Sequence, residues 1–269
     1  MEKIPAKDRI IVALDVPSAQ QAIPLVKSLA QHVGGFKLGY EFLIGTLRSM
    51  LFPDCPVDSG DDAESEQAIE NLKRARELFY LLGSGTSLID IKLDDIPNTT
   101  EGVVKQIAKF NRPWAFNIHT SSGIEPVKAA VENRGQCLVF GVTVLTTIKA
   151  DECKAIFGAE RGPKVVEFAE MLIQAGADGV ICSPREGQSL RDDPKFNNLK
   201  IACPNTRPAW MPKKGDDQDP ETSLTPAQAV EAGIDYVIMG RPIRKPPEEI
   251  GGPIQAAQMI AQEIKDALG

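Results

Sequence analysis

The chain has 269 residues, 42% of them hydrophobic and 25% charged, which is the composition of an ordinary globular protein with enough chain for a sizeable core. Its formal net charge of −7 argues against broad nucleic-acid binding, which needs a basic surface, although a local pocket can still take a small anion. Two histidines (His32 and His119) and five cysteines without paired C-x-x-C spacing give poor support to a metal cluster, a serine–histidine triad or a disulfide framework, and the cysteines read as small core residues.

The first residues, Met1 to Asp8, lack the apolar core of a signal peptide, and no stretch approaches the length of a membrane-spanning helix. A cytoplasmic protein without membrane contact is expected. Short β-branched or apolar runs follow in order at Ile10 to Leu14, Gly35 to Leu38, Ser87 to Lys92, Trp114 to His119, Cys137 to Thr143, Gly179 to Cys182, Lys200 to Cys203 and Tyr236 to Met239. Between them, helical periodicity runs through Ala19 to Ala30, Ala68 to Leu82, Val103 to Phe110, Val165 to Ala175 and Pro226 to Ala232. Eight alternations of strand and helix predict an α/β fold, a (β/α)8 TIM barrel occupying 1–269 as a single domain. An open doubly wound sheet is second, because no G-x-G-x-x-G follows the first strand.

Two segments break the rhythm. Residues 51–67, with Pro53, Pro56, Gly60 and an acidic group at Asp58, Asp61, Asp62, Glu64 and Glu66, read as a solvated surface insertion before a long helix. Residues 204–225 form a long loop between the seventh and eighth strands and carry Arg207, Lys213, Lys214, Gly215 and Gln218; it is a candidate lid on a phosphate side.

The chemistry concentrates at the C-terminal ends of the strands, where barrel enzymes assemble their sites. Asp90, Lys92 and Asp95 close the third run, and alternation along a strand gives Asp90 and Lys92 a shared face. Opposite charges entering an apolar site persist when they are paired or do chemical work, whereas a solvated cluster at a strand end fits the same spacing. Asp15 follows the first run, Lys37 lies in the second and His119 ends the fourth, where a structural role is the simpler reading. The eighth run ends in Gly240-Arg241-Pro242, and a glycine beside a planar guanidinium after the last strand points to a phosphoryl group.

Together these residues resemble orotidine 5′-monophosphate decarboxylases over nearly the whole chain. The carriers are Val12-Ala13-Leu14-Asp15, Phe36-Lys37-Leu38-Gly39, the specific string from Asp90 to Thr99, Asn117-Ile118-His119, Thr143-Val144-Leu145-Thr146, the Pro204-to-Pro208 turn, Gly215-Asp216-Asp217-Gln218 and Gly240-Arg241-Pro242-Ile243. The resemblance implies conversion of orotidine 5′-monophosphate to UMP in pyrimidine biosynthesis, without a cofactor or metal. It implies that Asp15 and Lys37 contact the ribose, that Asp90 faces the substrate carboxylate and that Lys92 protonates C6. By the same resemblance Thr146 would hold the pyrimidine, Gln218, Gly240 and Arg241 would clasp the phosphate, and Pro204 and Arg207 would count among the substrate contacts. The resemblance also implies a homodimer with shared active sites, in which Asp95 and Thr99 would reach into the partner's site.

Two departures stand out. Asn205 replaces the glycine usual after Pro204, a tolerable change because asparagine adopts left-handed backbone more readily than most residues, and Asp219-Pro220 replaces basic residues after Gln218. The competing readings are a magnesium-dependent sugar-phosphate decarboxylase or aldolase sharing the Asp-x-Lys-x-x-Asp skeleton, and a catalytically silent nucleotide-binding barrel. The first places an acidic metal ligand where this chain has Lys37, and the second is expected to have lost a member of the charged set.

Overall fold

The computed structural model describes residues 4–54, 60–83, 85–110, 113–211 and 223–269. Eight strands, β1 (Ile10–Ala13), β2 (Gly35–Gly39), β3 (Ser87–Leu93), β4 (Ala115–His119), β5 (Leu138–Val142), β6 (Gly179–Ile181), β7 (Lys200–Cys203) and β8 (Tyr236–Met239), close in sequence order into a barrel. All are parallel, and β1 pairs with both β2 and β8. Every expected strand is present to within one residue at each end.

The helices are α1 (Ala19–Leu29), α2 (Tyr40–Leu51), α3 (Gly60–Leu82), α4 (Pro97–Ile107), α5 (Ile124–Asn133), α6 (Ala150–Phe157), α7 (Arg161–Ala175), α8 (Pro184–Arg191), α9 (Pro226–Glu231), α10 (Arg241–Arg244) and α11 (Pro253–Leu268). Their ends follow from local chemistry. The Ser18 hydroxyl accepts the Gln21 N–H at the start of α1, and prolines open α4, α8 and α9, where a missing donor costs nothing. Gly158 and Gly176, at φ 72° and 78°, end α6 and α7 in left-handed conformation. The last helix, α11, buries Ala256, Ala257, Ile260 and Ile264 along one stripe.

Alternation along the strands divides the core. Ile11, Leu88, Ala115, Phe140, Val142, Ile181, Ala202, Tyr236 and Ile238 form one buried cluster, and several of them also floor the cavity described below, so this cluster fills the barrel interior. The opposite parity, including Val12, Phe36, Ile89, Phe116, Val139 and Ile201, packs outward against the helices. The described cysteines, Cys137, Cys153, Cys182 and Cys203, are free and buried. Among the described residues no helix is long and apolar enough to cross a membrane.

Three helical expectations change. Helix α3 begins at Gly60, so residues 60–67 of the expected insertion are helical, with Asp62, Glu64 and Glu66 exposed near its start, where the helix dipole favours negative charge; residues 55–59 lie outside the described residues. Helix α4 starts at Pro97, where proline suits the first turn, but ends at Ile107, short of Phe110, the end of its expected apolar periodicity. Helix α2 was not marked by periodicity because it is apolar on two sides: Phe42 and Thr46 face the core, while Tyr40, Ile44, Leu47 and Leu51 are exposed.

Candidate active site

A cavity of about 440 Å³ opens at the C-terminal end of the barrel. Asp15, Lys37, Asp90, Lys92, Thr146, Pro204, Arg207, Gly240 and Arg241 all line it, so nine of the expected site residues, drawn from six strand ends, converge on one space. Asp95 and Thr99 do not: both are exposed, and Asp95 Oδ1 accepts its neighbour's amide, Ile96 N–H, at 2.7 Å. Gln218 and half of the candidate lid, residues 212–222, lie outside the described residues. On either side of that gap, Thr206 bridges to Leu224 and the Arg207 N–H donates to the Leu224 carbonyl at 2.9 Å.

At the cavity floor a chain of charges runs from β1 to β3. Lys37 Nζ lies 3.2 Å from Asp15 Oδ1 and 2.8 Å from Asp90 Oδ2, while Lys92 Nζ lies 2.7 Å from Asp90 Oδ1. Asn117 Nδ2 donates to the same Asp90 oxygen at 2.6 Å, and the Lys92 N–H donates to Asn117 Oδ1 at 2.7 Å. Asp90 is thus a nearly buried carboxylate with two ammonium groups and an amide on its two oxygens. Burial alone raises its pKa, but Lys37 and Lys92 outweigh that and hold it at about 2. For Lys37 burial works downward, and Asp90 with Asp15 more than reverses it, so its pKa is raised and it stays protonated. A Cβ at Gly39 would stand 3.1 Å from the Lys37 ammonium, so glycine there leaves the cation its place.

Simple alternation is not how Lys92 reaches Asp90. The pairing of β3 with β4 shifts register between Ile89 and Leu93, and Lys92 sits at φ 43°. A left-handed lysine costs roughly 1–2 kcal/mol and persists because the surroundings hold it, here through Asn117 of β4 opposite the register shift. The bulge brings the ammonium back over the Asp90 carboxylate. Asn205, replacing glycine, takes φ 63° and is buried, as asparagine's tolerance for that region allows.

Three contributors were missed by sequence reasoning. Asn117 had a signal, a polar residue between Phe116 and Ile118 in a buried strand. Arg244 had little: its guanidinium donates to the Asp15 carbonyl at 2.8 Å and lies 3.6 Å from Asp15 Oδ2, a contact spanning 229 residues of chain. Cys182, at the end of β6, also lines the cavity. His119 does not, and burial, followed by the opposed effects of Asp94 and Asp90 against Lys92, leaves its imidazole below its ordinary pKa. Among the lining residues Lys37, Lys92, Arg207, Arg241 and Arg244 face Asp15 and Asp90, a local excess of three positive charges in a chain of net −7. Such a cavity favours an anion.

The family model described as orotidine 5′-phosphate decarboxylase / HUMPS family matches residues 8–252. The chain belongs to that family. A curated orotidine 5′-phosphate decarboxylase of Syntrophomonas wolfei is 34% identical over 97% of this chain and 99% of its own length. Another, from Anaeromyxobacter sp., is 35% identical over 94% and 97%. Among solved structures, an orotidine 5′-phosphate decarboxylase from Lactobacillus acidophilus superposes with a TM-score of 0.70 at 24% identity, covering 97% of this chain and 99% of that one. One from Pyrococcus horikoshii gives 0.63 at 23%, covering 95% and 99%, and these two bear on the fold alone. The family's two-part description leaves two chemistries to separate, and the residues around Lys37 bear on that separation.

Proposed function

We propose that this enzyme decarboxylates orotidine 5′-monophosphate to UMP without a cofactor, and the observation that carries the reading is the Lys37–Asp90–Lys92 cluster at the floor of a cationic cavity. The substrate carries two anionic groups, a carboxylate on C6 of the pyrimidine and a phosphate, and suits the positive excess. Breaking the bond from C6 to the carboxylate leaves an electron pair on C6 as carbon dioxide departs. The Lys92 ammonium stabilises that developing charge and then gives C6 its proton, after which solvent reprotonates the amine. Asp90 has two tasks: it pairs with the Lys92 ammonium and so holds it in place, and it crowds the substrate carboxylate by like-charge proximity that vanishes when neutral carbon dioxide leaves.

Asp15 and Lys37 take the ribose, Thr146 the pyrimidine, and Gly240 and Arg241 the phosphate, with Pro204, Arg207 and Gln218 beside them. Binding the remote phosphate supplies interaction energy to the reacting end. The partner in a homodimer contributes Asp95 and Thr99, a role supported by their exposure and by their standing outside their own chain's cavity. A magnesium-dependent sugar-phosphate reaction fits less well: Lys37 stands where a metal ligand is required, and an ammonium opposes a dication. Among the described residues no three of His, Cys, Asp and Glu are grouped to hold a metal ion.

The test is the ultraviolet absorbance of orotidine 5′-monophosphate with purified protein, before and after exhaustive chelation. Turnover is expected to be unchanged by the chelator. Activity that disappears and returns only with magnesium would transfer the chain to the sugar-phosphate chemistry.

A further inference from the structure

Arg161, the first residue of α7, takes no part in the cavity lining, yet its side chain is only 16% exposed and ties together two loops that do. Its Nη1 donates to the carbonyls of Leu145 (3.0 Å) and Ile148 (2.7 Å), and its Nη2 to that of Val144 (3.3 Å). Its Nε pairs with Glu186 Oε1, and the other Glu186 oxygen accepts the Ser183 N–H at 2.8 Å at the start of α8. One guanidinium therefore fastens the loop after β5 to the loop after β6. Val144, Leu145 and Thr146 from the first loop, and Cys182 beside the second, form one wall of the cavity.

We infer that Arg161, backed by Glu186, is a positioning residue that fixes this wall and thereby sets how tightly the site holds the ring end of its ligand. The inference rests on the reading of Thr146 as the pyrimidine contact. Surface attachment of the loop has other solutions, but a buried fork across three carbonyls specifies one loop conformation, because every donor has a fixed direction. Removing it leaves the Val144 and Ile148 carbonyls without this donor, the Leu145 carbonyl with the Ile148 N–H alone, and a nearly buried carboxylate without its cation, so the loop must rearrange to reach water. The phosphate end, on Gly240 and Arg241 after β8, shares none of these contacts.

The test compares two ligands that differ in whether they carry the ring. Dissociation constants for UMP and for ribose 5-phosphate are measured by NMR titration with the parent and with Arg161→Met, which keeps an apolar stem of similar length. UMP is expected to weaken by about tenfold or more, equivalent to ~1.4 kcal/mol, while ribose 5-phosphate stays within about twofold. Equal weakening of both ligands means general loosening and overturns the inference, as does unchanged UMP binding. Should Arg161→Met fail to fold, Arg161→Lys carries the same expectation, since a lysine keeps the charge but cannot span three carbonyls and Glu186. A parent that does not bind UMP overturns the functional reading and this inference together, whereas a parent that binds UMP beside an unaffected variant overturns the inference alone.

Discussion

Asp90→Asn keeps the shape of the side chain and removes the one negative charge that Lys37 and Lys92 share. In the parent, the Asp90 carboxyl is lowered from 3.8 to about 2 by those two ammonium groups. A group with a depressed folded-state pKa stabilises the native state above its unfolded value, and that stabilisation is lost as pH falls through the folded value. The shift corresponds to about 2 kcal/mol in full, of which roughly 1 kcal/mol has gone by about pH 3. The asparagine variant lacks this component, and the other carboxylates titrate in both proteins and cancel in the difference. The gap in unfolding free energy between parent and variant, from denaturant curves at several pH values, is therefore expected to narrow by about 1 kcal/mol between about pH 6 and about pH 3. A gap that stays constant, or widens, would refute the arrangement of Asp90 between two charged lysines. The variant is also expected to lose most of its turnover at neutral pH, since Lys92 loses its counter-ion.

Arg241→Ala is expected to weaken orotidine 5′-monophosphate by about 1.4 kcal/mol or more and to leave the nucleoside orotidine much less affected; steady-state kinetics with both substrates checks this, and equal losses would make Arg241 a structural residue. Lys92→Ala and Asp95→Asn are each expected to be nearly inactive alone, with UMP binding still detectable for Lys92→Ala. Mixing and re-associating the two should restore activity in roughly a quarter of sites, because one site of each mixed dimer regains both residues under closed two-fold symmetry. No recovery after proven subunit exchange returns Asp95 to its own chain, where it already bonds the Ile96 amide.

The order of elements was legible because parallel strands buried on both faces read as short apolar runs, several of them closed by a polar residue at the barrel mouth. Asp90-x-Lys92 and Gly240-Arg241 were legible for the same reason, being charges at the ends of such runs, and the conformation of Asn205 followed from a local preference that needs no neighbours. What the sequence left open depends on contacts between distant segments. The acidic stretch from Gly60 reads as loop until α3 continues through it, and α2 carries apolar residues on its outer side that no internal packing requires. Alternation predicted that Lys92 meets Asp90, but the means, a register shift and a left-handed lysine, exists only because Asn117 of β4 bonds the Lys92 amide. Arg244 joins Asp15 from the far end of the chain, and Arg161 joins two loops through carbonyls that any residue would supply. Backbone oxygens have no signature in a sequence, so the groups that hold such a site in shape become visible only when the chain has closed on itself.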